Sequence, residues 1–302
     1  MQDLIVPSEA KNRRLDHFLR EVLPDLSRNH IQKAIERGEI LLDGKKVTAH
    51  RFLKGGETVS FVTLEETVET VPVVAVPVIA VERDFLVVDK PSGIAVHPGA
   101  GVKPPTMVDA LLVSHPEIRE VGEPERPGIV HRLDKDVSGV MLVARNEVGL
   151  KYLKDAFRNR RVAKTYTALV IGAPPDESGT IDRPIARSTR RARMSARTPG
   201  QGGKEAITHW NVLRRFRTST LLEVTIETGR THQIRAHLFA IGCPIVGDPL
   251  YKPHAAKPSA LHRPFLHSTK VEFEDPEGVH RVYESSLPKE LQDFLATLKM
   301  TT

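Results

Sequence analysis

The stretch His131-Arg132-Leu133-Asp134-Lys135-Asp136-Val137-Ser138-Gly139 decides how this chain is read. It sets a carboxylate two residues from an arginine, in a tight turn between apolar runs at residues 127–130 and 140–144. Ionisable groups crowded at a strand junction are unusual, and loops held by rigid strands are where chemically active groups tend to sit. An aspartate ahead of Ser-Gly also has a plainer use, which is to bond its own backbone and close the turn. Taken alone, the stretch leaves both readings open.

The surrounding composition narrows the choices. A chain of 302 residues, 40% hydrophobic and 27% charged, has the make-up of a globular protein. It is long enough for a large core and for two domains. No apolar run approaches the ~20 residues of a membrane span, so no membrane partner is expected. The first residues, Met1-Gln2-Asp3-Leu4-Ile5, carry no basic region leading into an apolar one, so no secretory signal and a cytoplasmic location are expected. The single Cys243 excludes an internal disulfide and a cysteine-based zinc site.

The formal net charge of +6 is unevenly placed. Between residues 183 and 204 stand Arg183, Arg187, Arg190, Arg191, Arg193, Arg197 and Lys204, with no acidic residue among them. A basic excess held in one polar, glycine-containing segment suits a phosphate backbone better than general solubility. The expected partner is therefore polyanionic, with nucleic acid the leading candidate.

Residues 1–61 read as a small separate unit. Apolar residues at 15, 18, 19 and 22 have the spacing of one helical face. Beyond Pro24, Ser27 is placed to cap a second helix with Ile31, Ala34 and Ile35 on one side, stopping at Gly38. A hairpin follows, residues 39–42 and 45–48 about an Asp43-Gly44 turn, and then a strand at 57–61. This order resembles the S4-like RNA-binding domain over residues 13–61, through Arg14-Leu15-Asp16, Ser27-Arg28, residues 35–38 and Leu42-Asp43-Gly44-Lys45. The resemblance implies RNA-backbone contacts from Arg28, Lys33, Arg37, Lys45 and Lys46. Residues 62–78 carry two prolines and no helical period, and read as a linker.

From residue 79 to 302 the pattern is strand-rich. Strands are expected at 85–89, 140–145, 164–171, 205–214 and 221–227, and helices at 148–157, 231–241 and 288–298. Thr231 is placed to open the middle helix and Gly242 to close it. Strands and helices do not alternate regularly, so the expected class is α+β, with a mixed, largely antiparallel sheet.

The chemistry is bounded first by what is missing. His232 and His237 are five residues apart and do not stack on one helical face as zinc ligands would. No Walker loop, Gly-x-Gly-x-x-Gly or Gly-x-Ser-x-Gly occurs, so neither a metal nor a nucleotide cofactor is suggested. What remains is the carboxylate turn, the basic arm and a second motif, Thr228-Gly229-Arg230-Thr231-His232-Gln233-Ile234-Arg235-Ala236-His237-Leu238. An arginine one turn into a helix can pair with an acid on a neighbouring loop and orient it. Alone, Arg235 reads more readily as a structural ion pair.

Three motifs together carry a closer resemblance: His131-Arg132-Leu133-Asp134 with Ser138-Gly139, Lys164-Thr165-Tyr166, and Gly229 through Leu238. With Lys90-Pro91-Ser92-Gly93, His97-Pro98-Gly99 and Gly247-Asp248-Pro249-Leu250-Tyr251, they resemble the RluA-type family of RNA pseudouridine synthases over residues 80–298. The resemblance implies that Asp134 is the catalytic aspartate, acting on a flipped uridine by direct attack or through a glycal. It implies that Arg132 enters the RNA stack, that Tyr166 stacks on the base and assists removal of the C5 proton, and that Arg235 pairs with Asp134. His131, Arg187, Arg190, Arg191, Arg193 and Arg230 are further expected RNA contacts. No cofactor is implied, and a monomer is expected.

The chain departs from the family at Val137, where the usual motif has threonine, and in its version of the late Leu-His motif, residues 262–268. The first departure removes a hydroxyl from the turn, and any local bond it made. The N-terminal unit implies large-subunit ribosomal RNA as substrate, with transfer RNA the second choice. The competing class is a non-catalytic RNA-binding or ribosome-assembly factor that keeps the fold and has lost the activity.

Overall fold

A computed structural model describes residues 2–24, 26, 28–61, 74–99, 102, 104–188, 193–198, 200–252 and 259–300, without the side chains of Arg28, Asn29 and Lys33. The cap expected at Ser27, residues 62–73 of the expected linker, and Arg190 and Arg191 lie outside the described residues. The chain divides into two compact units, Met1–Val71 and Pro72–Thr302.

The first unit holds β1 (Gln2–Ile5), α1 (Leu15–Val22), α2 (Arg28–Arg37), β2 (Ile40–Leu42) and β3 (Thr58–Phe61). The apolar face read for each helix is the buried one: Leu15, Phe18 and Leu19 from α1 meet Ile31, Ala34 and Ile35 from α2. Each large apolar side chain so buried stabilises the unit by about 1.5–3 kcal/mol. The expected hairpin is corrected. Leu42 and Lys45 exchange two backbone bonds of 3.0 Å across Asp43-Gly44, but residues 46–48 form no strand. β2 pairs instead with β3, which also takes β1, in the order β1-β3-β2. The reason lies downstream of the turn: Ala49 turns into the core, and residues 49–53 bond back to residues 12–16, away from β2. β1 was unexpected, because four residues with an exposed Ile5 carry no signal apart from the edge they pair with.

The second unit is built on β4 (Val78–Val81), β5 (Phe85–Lys90), β6 (Ser138–Ala144), β7 (Ala163–Ile171), β8 (Ser178–Asp182), β9 (Ile185–Arg187), β10 (Met194–Ala196), β11 (Ile207–Arg215), β12 (Ser219–Ile226), β13 (Leu266–Glu274) and β14 (His280–Glu284). Its helices are α3 (Met107–Ser114), α4 (Glu147–Arg158), α5 (Gln233–Ala240) and α6 (Lys289–Ala296). Nine strands form one sheet, in the order β4-β5-β6-β13-β7-β12-β11-β8, with β14 alongside β13. All its pairings are antiparallel except β6 with β13, which is the mixed, largely antiparallel sheet expected from sequence.

Both faces of the central strands are covered. Val140, Leu142 and Ala144 pack under α4 with Leu150 and Leu153, while Met141 and Val143 pack on the other face with α3, α5 and α6. A strand buried on both sides reads as an unbroken apolar run, as residues 140–144 do. The apolar run at 127–130 forms no strand of its own and meets β6 through an isolated bridge, Ile129 to Val143, and the bond from Ala144 N–H to the Gly128 carbonyl at 2.8 Å. The parallel contact positions the decisive turn, for His267 and Ser268 of β13 lie beside Ser138 and Gly139. Gly139 has φ 122°, and a Cβ there would stand 2.2 Å from the Ser268 carbonyl oxygen, so only glycine fits.

Candidate active site

The turn from His131 to Val137 is held from three sides. Leu133 and Val137 are buried in the main core, and the Val137 N–H donates to the Asp134 carbonyl at 3.1 Å. Behind it, the Lys135 carbonyl accepts from Gly93 N–H at 2.9 Å and from Lys90 Nζ at 3.0 Å, and the Asp136 carbonyl accepts from Ser92 Oγ at 2.9 Å. Lys90 is fully buried; burial, helped by the charge of Arg263, pulls its pKa down to about 7 against the pull of Asp136 and Asp134. Below, Arg263 Nη2 donates to Ser138 Oγ at 2.8 Å, and that hydroxyl also meets His267 Nδ1 at 2.9 Å. The unusual segment at residues 262–268 thus braces the turn. Val137 points into apolar core, so the missing hydroxyl costs the packing nothing.

The Asp134 side chain emerges into a cleft of about 550 Å³ that Tyr166 and Arg235 also line. Arg235 Nη1 donates to Asp134 Oδ2 at 3.0 Å. Its other edge forms a two-pronged pair with Asp248, Nε to Oδ2 at 2.6 Å and Nη2 to Oδ1 at 2.9 Å. Asp248 is itself fixed by the backbone N–H groups of Leu250 (2.8 Å) and Tyr251 (3.0 Å). The guanidinium lies 5.2 Å from the centre of the buried Tyr251 ring. Burial opposes its charge, but the hydrogen bonds and charges of Asp248, then of Asp134, raise its pKa above the ordinary arginine value. Asp134 Oδ1 accepts no hydrogen bond from the described residues and faces the cleft open.

The helix bearing Arg235 starts two residues later than Thr231 predicted. His232 takes a left-handed conformation, φ 55°, and α5 begins at Gln233. The Gln233 side chain accepts from Arg230 N–H at 3.0 Å and from the Thr228 hydroxyl at 2.8 Å, tying the start of the helix back to the segment before it. The unusual backbone brings His232 Nε2 to 3.9 Å from Asp134 Oδ2, while Nδ1 meets the Tyr251 hydroxyl at 3.2 Å. That hydroxyl donates to the Met194 carbonyl at 2.9 Å, so Nδ1 supplies the hydrogen in its bond to the tyrosine. Burial lowers the His232 pKa, with Asp134 pulling the other way. Tyr166 sits on β7 opposite Ser268 of β13 and Val224 of β12. Burial, and then the charge of Asp134, push its hydroxyl above the usual phenol value against a hydrogen bond to Ser268.

The remaining predicted residues are spread more widely. Arg132 is exposed at the cleft, and Arg230 lines it while donating to the Glu205 carbonyl at 3.0 Å. His131 also lines the cleft but is tied to the scaffold: its Nε2 accepts from Leu142 N–H at 2.9 Å, and its ring stacks on Phe157 at 4.5 Å. Burial, with Lys164 adding to it, lowers its pKa to about 3. Arg187 is exposed on β9, whereas Arg193 folds back over the rings of Phe239 (4.5 Å) and Tyr251 (4.8 Å) and bonds the Leu250 carbonyl. In the first unit Lys45 is exposed, Lys46 reaches the Arg37 carbonyl, and Arg37 pairs with Glu39 at 2.8 Å. Sequence reasoning assigned no role to Asp248, Tyr251, Lys90 or Lys164, although each stood in a motif it quoted. It also passed over Lys154 and Arg158 on α4, which line the cleft and whose only signal was helical spacing.

A carboxylate with one oxygen held by a braced arginine and the other free in a basic cleft suits attack on, or charge stabilisation at, an electrophilic carbon. Residues 84–240 match the RNA pseudouridylate synthase family and residues 13–59 the S4 domain. Among similar proteins, an uncharacterized RNA pseudouridine synthase of Bacillus subtilis, YlyB, is 37% identical over 98% of this chain and 98% of its own length. The ribosomal large subunit pseudouridine synthase D of Xanthomonas campestris is 38% identical over 99% of this chain and 93% of its own. The solved structure of human RNA pseudouridylate synthase domain containing 1 is 26% identical and superposes with a TM-score of 0.62, covering 78% of this chain and 92% of that one. The chain therefore belongs to the RluA-type family of RNA pseudouridine synthases and is an enzyme of that kind, with an S4 domain in its N-terminal unit.

Proposed function

We propose that this enzyme isomerises specific uridines of large-subunit ribosomal RNA and that Asp134 carries the chemistry. The observation that supports this most directly is the Asp248–Arg235–Asp134 chain, which aims a carboxylate with one free oxygen into the cleft. The relatives named ribosomal large subunit pseudouridine synthase D support the choice of RNA. The target base must leave its stack, at a cost of a few kcal/mol. Arg132 fills the vacated place, and backbone contacts offset the rest. Those contacts come from Arg187, Arg190, Arg191, Arg193 and Arg230, and from an S4-like domain at residues 1–61 through Arg28, Lys33, Arg37 and Lys45. Residues 62–78 act as the linker and residues 79–302 as the catalytic domain of a monomer working in the cytoplasm.

Within the cleft the C1′–N1 bond breaks with its electron pair going to nitrogen. Asp134 either attacks C1′ or assists loss of the neighbouring C2′ proton to give a glycal. The uracil turns with Tyr166 against its face, C5 joins C1′, and the C5 proton leaves as N1 takes one up. Bonds and protons balance within one substrate, so the reaction requires no redox change and no cofactor.

The test compares wild type with Asp134→Asn on transcribed fragments of large-subunit ribosomal RNA and on transfer RNA, scoring pseudouridine by chemical mapping. Product from wild type alone, on ribosomal fragments, is the expected result. Product on transfer RNA only would move the substrate. Tight binding with no product on any RNA would leave a non-catalytic RNA-binding factor.

A further inference from the structure

Four cationic side chains are buried in the second unit among the described residues: Lys90, Lys164, Arg235 and Arg263. Three have partners. Lys90 donates to two carbonyl oxygens, Arg235 holds two aspartates, and Arg263 holds Glu290, Ser138 and the Leu266 carbonyl. Lys164 is 8% exposed, lines the cleft and makes no hydrogen bond or ion pair with any described residue. Burying an ammonium without a partner is expensive, and proteins retain such groups where a ligand completes them.

The surroundings say what kind of ligand. On β7, Lys164 and Tyr166 are two residues apart and so project to the same face, which here is the cleft. Beside the ammonium are the Phe157 ring, 5.7 Å away, and the His131 imidazole stacked on that ring. On α4, Lys154, Phe157 and Arg158 stand at positions i, i+3 and i+4, one helical face, and all three line the same cleft. Arg160 stands nearby but is already paired, with Glu205 at 2.9 Å and Glu227 at 3.3 Å. The one carboxylate lining this side, Glu227, is already held by Arg160 at 3.3 Å and His209 at 2.9 Å. Burial first, and then the charge of Arg160, lower the Lys164 pKa to about 8, and no carboxylate among the described residues pairs with the ammonium. A uracil ring is neutral and would leave this charge in place; a phosphate diester would cancel it. Lysine, a compact point charge, suits a phosphate that need not be gripped from two sides.

We propose that Lys164 binds a backbone phosphate flanking the target uridine, with Lys154 and Arg158 drawing that phosphate into the cleft. The contact holds the flipped nucleotide by its backbone while the base is detached and turned. Lys164 is thus a substrate-positioning residue, and its role rests on the pseudouridine-synthase reading of the cleft given above.

The test is a cycle on both partners, with a synthetic RNA spanning the mapped target. The RNA carries either natural phosphates or a single uncharged methylphosphonate on the 5′ or the 3′ side of the target. Each is turned over by wild type and by Lys164→Met, with Lys164→Arg as the variant that keeps the charge. Losing one charge-assisted bond predicts a fall in kcat/KM of about 10- to 100-fold for Lys164→Met. A methylphosphonate at one of the two positions should cost wild type a similar factor, and should cost Lys164→Met almost nothing more. Losses that multiply at both positions, or a Lys164→Met enzyme as active as wild type, overturn the inference and leave the function intact. If the methionine variant does not fold, wild type decides alone: no loss from either methylphosphonate overturns the contact. A wild type inactive on the natural RNA overturns the proposed function, and this inference with it.

Discussion

Replacing Asp248 by asparagine separates bracing from chemistry, because Asp248 touches Arg235 and never the open oxygen of Asp134. Asparagine keeps Oδ1, and with it the bonds from Leu250 N–H, Tyr251 N–H and Arg235 Nη2. It puts an NH2 where Oδ2 stood, 2.6 Å from Arg235 Nε, so two donors face each other. The Arg235 side chain is 4% exposed and Asp248 is fully enclosed, so water cannot take the lost place. Removing one partner of a buried ion pair costs about 3–5 kcal/mol, and the bonds retained at Oδ1 set the expectation near the lower figure. For a unit of this size, about 3 kcal/mol lowers the melting temperature by about 6–12 °C. Arg235 then swings away from the clashing donor and carries Asp134 off line, and a displacement of about 1 Å at a reacting group costs about 100-fold in rate. Thermal unfolding by circular dichroism and single-turnover formation of pseudouridine read the two effects. Lys289→Ala, which breaks an exposed pair with Asp293, is the control and should change neither. A melting temperature within about 2 °C of wild type together with a rate within about threefold would refute the bracing role of Asp248.

Three further outcomes are expected. Between a folded pKa of about 7 and the ordinary lysine value of 10.5, Lys90 has shed in the folded chain a proton that the unfolded chain keeps, so its contribution to stability rises with pH across that window. Denaturant unfolding at pH 7 and pH 9 should therefore show wild type gaining on Lys90→Met, by no more than about 1.4 kcal/mol per pH unit; parallel behaviour would rule the burial effect out. Val137→Thr buries a hydroxyl in apolar core and should cost about 1 kcal/mol in unfolding free energy while leaving turnover within about threefold; a large gain in rate would show that the turn needs that hydroxyl. Arg190→Gln with Arg191→Gln should weaken RNA binding and reduce the slope of log K against log salt by about 1–2; an unchanged slope across a salt titration would assign the arm to a passive loop.

How far the sequence spoke for itself depended on the range of the interaction being read. The helical faces at Leu15, Phe18 and Leu19 and at Ile31, Ala34 and Ile35 were legible because periodicity is local: the residues that make each face recur within about one turn, wherever the residues that bury it stand. The hairpin after Asp43-Gly44 was misread because turn chemistry specifies the reversal and leaves open which strand pairs beyond it. β13 was not anticipated although Val271 and Phe273 alternate with Glu272 and Glu274, and nothing in that local pattern announces its parallel contact with β6, which joins residues 129 positions apart. That contact nevertheless sets the turn at Asp134 and explains why Gly139 must be glycine. The Asp134–Arg235 pairing came from resemblance, and no spacing rule could have supplied a bond across 101 residues.

Asp248 marks the limit most clearly. It stood in a quoted motif only 13 residues from Arg235, yet an aspartate before proline reads as a turn residue, and its backbone bonds to Leu250 and Tyr251 make it one. The same carboxylate closes the turn and holds the arginine. The two readings first set against each other for Asp134, turn aspartate or working aspartate, are therefore not exclusive in this fold. Asp134 also closes its own turn, through its carbonyl and the N–H of Val137, and that backbone bond leaves the carboxylate free for Arg235 and the cleft. A turn that spends backbone atoms on its closure keeps the side chain for chemistry, whereas Asp248 spends its side chain on both the turn and the arginine. That division makes Asp134 the residue with an oxygen left to react and Asp248 the residue that fixes where it points.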